Sequence, residues 1–138
     1  MNVKPFGPGV PLVIDASAWN RQRLPDIRER WLATNDADLF ASCSVAALEI
    51  LTVARSEREF ADTDAAFSAL PQVPITASAC RAALGAAREL GGSRRLPVPD
   101  YLIAAAAAER GFGVLHADRH FDLLAAVLPF ESVRLPGS

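Results

Sequence analysis

Four acidic residues occupy positions where a folded chain tolerates charge poorly. Asp15 ends the apolar run Pro11-Leu12-Val13-Ile14, and Glu49 lies inside Val45-Ala46-Ala47-Leu48-Glu49-Ile50-Leu51. Asp100 opens Asp100-Tyr101-Leu102-Ile103 ahead of five alanines, and Asp118 follows Gly113-Val114-Leu115-His116-Ala117. A buried carboxylate is costly unless it is protonated, paired or bound to a metal. The single lysine, Lys4, is far away in sequence, and no basic residue flanks the first three acids. Four such acids meeting in space would hold a hard divalent cation through oxygen ligands, Mg²⁺ or Mn²⁺. Metal-assisted phosphodiester chemistry is what that arrangement would serve.

Each acid also has an ordinary structural use. Asp15 can close the turn after a strand, Asp100 can be a first-turn helix acid favoured by the dipole, and Asp118 can cap the helix after it. Glu49, flanked by bulky apolar residues, can escape burial only on a tilted helix face. Asp122, four residues beyond Asp118, is a candidate fifth acid on the same helix face. Ser17 can bond Asp15 or a metal-bound water, or cap a helix. Arg94 and Arg95, before Asp100, and Arg119, beside Asp118, are candidate phosphate contacts; solvated charge is their plain alternative. His120 is read as a surface histidine, with a proton-carrying role as the sharper option.

The elements that must position these residues follow from hydrophobic period and punctuation. Residues 11–15 form a strand and 27–34 a helix, with a turn at 35–37. A second strand covers 38–42, and Ser44 caps a helix to about Ala54. A helix covers 57–69, and 73–76 is a short strand or extended link. Thr76 or Ser78 caps a helix to Leu90 that stops at Gly91-Gly92. Residues 91–99 are a loop. Pro99 pre-sets the alanine helix, which ends near Arg110-Gly111. A strand at 113–117, a helix over 119–128 and a strand over 130–135 complete the chain. Strands alternating with helices imply an α/β fold whose mainly parallel central sheet is covered on both faces. In such sheets ligands bind beyond the carboxyl ends of the strands, and all four acids can reach that edge.

With 138 residues, 51% of them hydrophobic, the chain can bury a sizeable core, so residues 11–138 are expected to be a single domain behind a flexible lead-in at 1–10. No apolar run is long enough for a membrane span and the N-terminus lacks a signal peptide's apolar stretch, which suits a cytoplasmic protein. Cys43 and Cys80 are expected to be buried free thiols. The net charge of −2 supplies no global field for nucleic acid.

The segments Val13-Ile14-Asp15-Ala16-Ser17-Ala18, Ala47-Leu48-Glu49-Ile50-Leu51, Pro99-Asp100-Tyr101-Leu102-Ile103-Ala104-Ala105 and His116-Ala117-Asp118-Arg119-His120-Phe121-Asp122 resemble, in order and spacing, the PIN domain and within it the VapC-type toxins of bacterial toxin–antitoxin pairs. The resemblance runs from about Leu12 to Leu135. It implies a three-layer α/β/α sandwich and a Mg²⁺-dependent ribonuclease, inhibited by a VapB-type antitoxin and forming a homodimer. It also implies Asp15 and Asp100 as primary metal ligands, Asp118 completing the site, and Glu49 binding metal through water or orienting the nucleophile. Members often carry a further acid at the position that His120 fills here, and Asp122 is the residue that could compensate. Two rival readings remain: a PIN-like scaffold that only binds RNA or a partner, and a phosphoryl acceptor, which would want a lysine near the acids. A groove over helices 45–70, with Leu48, Leu51, Phe60 and Phe67, would suit an amphipathic partner segment, although a core role serves most of these residues.

Overall fold

The computed structural model describes residues 3–92 and 95–138. Five parallel strands form its centre: β1 (Leu12–Ile14), β2 (Phe40–Cys43), β3 (Gln72–Val73), β4 (Gly113–His116) and β5 (Glu131–Arg134), in the spatial order β3-β2-β1-β4-β5. The helices are α1 (Ala16–Trp19), α2 (Pro25–Asp36), α3 (Ser44–Leu51), α4 (Glu57–Ser68), α5 (Ala77–Leu90), α6 (Val98–Arg110) and α7 (Arg119–Leu124).

Side chains alternate across a strand, so each strand feeds two cores. Val13, Ala41, Cys43, Val73 and Val114 face α5, α6 and α7, where Ala79, Ala83, Ala86, Ile103, Phe121 and Leu124 meet them. Leu12, Ile14, Phe40 and Leu115 face the other way, onto Ala18, Ile27, Trp31 and Phe67 of α1, α2 and α4. The result is the three-layer α/β/α sandwich anticipated from the alternation. The alanine run has a packing purpose: Ala104 to Ala107 are all buried and let α6 lie close against the sheet. Gly113 serves the same closeness, because a Cβ there would meet the Glu131 carbonyl oxygen at 2.7 Å. Gly111, at φ 69°, ends α6 in the left-handed conformation that glycine adopts without penalty.

Several local expectations are revised. The four-residue helix α1, unexpected from sequence, turns the chain directly after Asp15. Helix α2 runs through Asp36, and the turn is made by Asp38 at φ 56°. The cap position of α3 is Cys43 rather than Ser44, with no side-chain cap bond. Helix α7 ends at Leu124, four residues early, because the chain descends through turns to reach β5. In the lead-in expected to be flexible, Phe6 is fully buried, its N–H donates to Thr34 Oγ1 at 2.9 Å, and the Arg30 guanidinium stacks over its ring. Cys43 is buried, and burial raises its thiol pKa, but Cys80 is exposed on α5. No helix among the described residues is long and apolar enough to cross a membrane.

Candidate active site

β1 and β4 are neighbours, so their carboxyl ends deliver Asp15 and Asp118 to one edge of the sheet. Asp15 sits at the cap of α1, where its Oδ2 accepts the Ser17 N–H at 3.0 Å and the Ser17 hydroxyl at 2.5 Å. Ser17 Oγ in turn accepts the Ala117 N–H at 2.9 Å, tying the β1 end to the turn after β4. Ser17 is therefore a clasp between the two strand ends. Asp15 Oδ1 takes no hydrogen bond among the described residues.

Asp118 caps α7 and its Oδ1 accepts the His120 N–H at 3.0 Å. Its other oxygen lies 3.1 Å from His120 Nδ1, and so does Asp100 Oδ2 from the first turn of α6. Asp100, Asp118 and His120 thus present ligand atoms all within 4.8 Å of one another. Asp15 and Asp100 are buried, Asp118 is half-buried, and Glu49 is exposed on α3, contrary to the burial expected from its apolar neighbours. An eight-residue helix at the sheet edge turns Ala46 and Ile50 inward and leaves Glu49 outside.

The electrostatics tie the acids together. Burial, and next the charge of Asp15, push the Asp100 carboxyl up to about 7; His120 pulls it back in part, and Asp118 adds to the rise. Glu49 is also raised, first by partial desolvation and then by Asp15. Like charges held this close favour a proton or a cation between them. Two carboxylates and an imidazole, with Asp15 behind them, form a donor set that suits a divalent cation.

Beside this cluster runs a second, fully bonded set that the sequence reading did not foresee. His116 is completely buried at the end of β4. Its Nδ1 accepts the Asp118 N–H at 3.1 Å, so Nε2 carries the proton and donates to Ser132 Oγ at 2.7 Å. The Ser132 hydroxyl donates to Asp122 Oδ1 at 2.8 Å, and Arg134 Nη1 donates to Asp122 Oδ2 at 3.3 Å. Burial lowers the His116 pKa, consistent with the neutral ring this pattern requires. Asp122 accordingly faces β5, held there by Ser132 and Arg134, and does not join the other acids. The sequence held one signal: a histidine in the otherwise apolar strand Gly113-Val114-Leu115-His116.

Arg95 and Arg119 are exposed, without contact to the acids among the described residues, and Arg94 lies outside those residues. A groove of about 670 Å³ lies elsewhere, between Trp19–Arg23 and α4, and none of the four acids lines it.

The PIN domain family model matches residues 12–127, a span that includes all four acids. The chain belongs to the PIN domain family. It is 33% identical to Ribonuclease VapC18 of Mycobacterium tuberculosis over 83% of this chain and 87% of that protein. It is 38% identical to Ribonuclease VapC51 of the same organism over 83% and 85%. Among solved structures it resembles DNA-bound VapBC from Salmonella typhimurium, with a TM-score of 0.70 and 20% identity over 89% of this chain and 98% of that one. It also resembles VapBC2 from Rickettsia felis, with a TM-score of 0.71 and 14% identity over 90% and 99%. At such identities these two likenesses speak for the PIN fold alone.

Proposed function

We infer that this PIN-family chain is a metal-dependent endoribonuclease, the toxin of a toxin–antitoxin pair, hydrolysing RNA with Mg²⁺ or Mn²⁺. The observation that carries the reading is the convergence of Asp100 and Asp118 on one point, with Asp15 close enough to raise Asp100. Relatives named as VapC ribonucleases, alike over most of both chains, support the activity.

In this reading Asp15, Asp100 and Asp118 hold the cation. When bound, the cation offsets charge on the scissile phosphate and lowers the pKa of water nearby. Glu49, exposed and made more basic than an ordinary glutamate, accepts a proton from the attacking water and orients it. Ser17 fixes the Asp15 carboxylate through Oδ2, leaving Oδ1 for the site. Arg95 and Arg119, both exposed, contact backbone phosphates of the substrate.

A VapB-type antitoxin is the expected partner, as the solved neighbours are VapBC complexes. Leu48, Val53 and Phe60 stay exposed on and beside α3 and α4 and offer apolar cover for such a segment, whereas Phe67 is core. We also assign residues 11–138 to a single domain, with Phe6 of the lead-in packed into its core, that works in the cytoplasm as a homodimer.

The test is cleavage of a mixed cellular RNA pool by purified, partner-free protein with Mg²⁺, with EDTA, and beside Asp100→Asn. Discrete, metal-dependent products absent from the variant are expected. Cleavage that survives both EDTA and Asp100→Asn would remove this mechanism. No cleavage together with no Mn²⁺ binding would leave a PIN-fold binding scaffold.

A further inference from the structure

His120 stands at the centre of the acidic cluster, between Asp100 and Asp118. Its backbone N–H donates to Asp118 Oδ1 at 3.0 Å, closing a tight turn at the start of α7. That turn brings the imidazole to the side of Asp118 where Oδ2 lies, and Nδ1 is 3.1 Å from that oxygen. The same nitrogen is 3.1 Å from Asp100 Oδ2 on a different helix. Nitrogen and both oxygens fall within one sphere 4.8 Å across. Adjacent ligands on a six-coordinate cation at about 2.1 Å are separated by about 3 Å, so these spacings suit three ligands of one ion. Asp122, the acid that could have completed the set, is engaged with Ser132 and Arg134 instead.

We propose that His120 is itself a metal ligand through Nδ1, and that this chain's centre is a mixed nitrogen–oxygen site that favours first-row transition cations such as Mn²⁺ over Mg²⁺. The proposal rests on the metal-centre reading above and deepens it. The physical reason is ligand softness: imidazole suits transition cations, while Mg²⁺ favours a shell of oxygens and dehydrates reluctantly. An oxygen-only centre at the same place would be more permissive towards Mg²⁺.

The 3.1 Å contacts suit N–H···O hydrogen bonds equally well, so the experiment must report nitrogen at the metal directly. The full 138-residue chain, purified free of any partner, would be loaded with Mn²⁺ and studied by pulsed electron paramagnetic resonance for ¹⁴N coupling. His116 does not confuse the assignment, because both of its nitrogens are bonded within the protein and its ring is fully buried. Titration calorimetry with Mn²⁺ and with Mg²⁺ supplies the second readout.

The expected result is ¹⁴N coupling in the parent chain that vanishes in His120→Asp while Mn²⁺ still binds. The Mn²⁺-to-Mg²⁺ affinity ratio should fall about tenfold in that variant. The new aspartate sits in the first turn of α7, where the dipole favours it, and His120→Gln serves as second variant should the first lose its circular dichroism signature. Bound Mn²⁺ without ¹⁴N coupling overturns the proposal and leaves the carboxylate centre standing. Coupling that persists in both variants overturns it too, by placing another nitrogen at the metal. A parent chain that binds no Mn²⁺ defeats both the proposal and the metal-centre reading beneath it.

Discussion

Helix α7 carries ionisable side chains on two sides, and the two sides are built on opposite terms. Towards α6, Asp118 and His120 meet Asp100, with Asp15 behind, and burial, then the charge of Asp15, lifts the Asp100 carboxyl to about 7. Towards β5, Asp122 is matched by the Ser132 hydroxyl and the Arg134 guanidinium, and through Ser132 it anchors the neutral His116. The first group stores unfavourable electrostatics that a cation would relieve. The second is satisfied and holds the first in place, since His116 Nδ1 fixes the Asp118 backbone. An acid's neighbours, more than its proximity in sequence, separate a ligand from a strut.

The sharpest way to break that contrast is Asp100→Asn. Asparagine keeps the shape but removes the charge that a cation needs. Metal-derived stabilisation of a phosphoryl transition state amounts to several kcal/mol, so RNA cleavage is expected to fall by at least about 10³-fold. The fold should survive, because the substitution also removes a destabilising charge. Single-turnover rates together with circular dichroism would check both halves.

The same stored charge predicts a pH dependence of stability in metal-free protein. The folded-state pKa of Asp100 is raised above its unfolded value of 3.8, to about 7. The folded chain therefore holds this proton more tightly, and the resulting stabilisation is complete below about pH 4 and lost as pH rises through 7. The change is on the order of a few kcal/mol. In EDTA the melting temperature is expected to drop between pH 5 and pH 8 by several degrees. Asp100→Asn should flatten that slope, and saturating Mn²⁺ should restore stability at pH 8. An unchanged slope in the variant would place the stored charge elsewhere.

How much of this was legible in the sequence depends on the kind of signal. Apolar runs and helix periods placed four of the five strands and six of the seven helices among the described residues, because burial sets those patterns directly, while the two-residue β3 at Gln72–Val73 overlaps only one residue of the 73–76 segment left open as strand or link. Helix α1 escaped because four residues are too short to show a period. The placement of Asp15, Asp100 and Asp118 at one edge of the sheet was readable because each follows or opens an apolar run. Glu49 was misjudged as buried, since a short helix at the sheet's edge exposes one side whatever the flanking residues are. The sorting of His120 and Asp122 was out of reach. Both lie in the first turns of α7, and which side faces α6 depends on how that helix docks. Ser132 and Arg134 gave no sign of a role, because it arises from the register of β5 against β4.

A smaller effect probes the link between the two sides. His116→Leu fills the same buried space but leaves the Asp118 N–H and the Ser132 hydroxyl without their present partner. A buried unpaired group costs about 1–3 kcal/mol. Support shells of this kind typically contribute 10–100-fold to metal affinity, so Mn²⁺ binding should weaken by about that factor. Chemical denaturation and calorimetry measure the two losses separately. A stability loss with unaltered Mn²⁺ affinity would make His116 part of the core and nothing more.

The smallest expected effect belongs to Asp122→Asn, and it tests the contrast from the quiet side. Asparagine retains an oxygen for the Ser132 hydroxyl but turns an amide NH2 toward Arg134, losing both the charge and the acceptor for the Arg134 Nη1 hydrogen bond. Both side chains of that pair are about two-fifths exposed, so water already screens their attraction. Such pairs are worth at most about 1 kcal/mol. Stability should fall by less than that, with RNA cleavage and Mn²⁺ affinity within about twofold of the parent, since Ser132 still supports His116 and His116 still fixes Asp118. A tenfold loss of Mn²⁺ affinity would mean that Asp122 acts at the metal after all. The division of α7 into a ligand side and a strut side would then fail, because one helix would be supplying the centre from both.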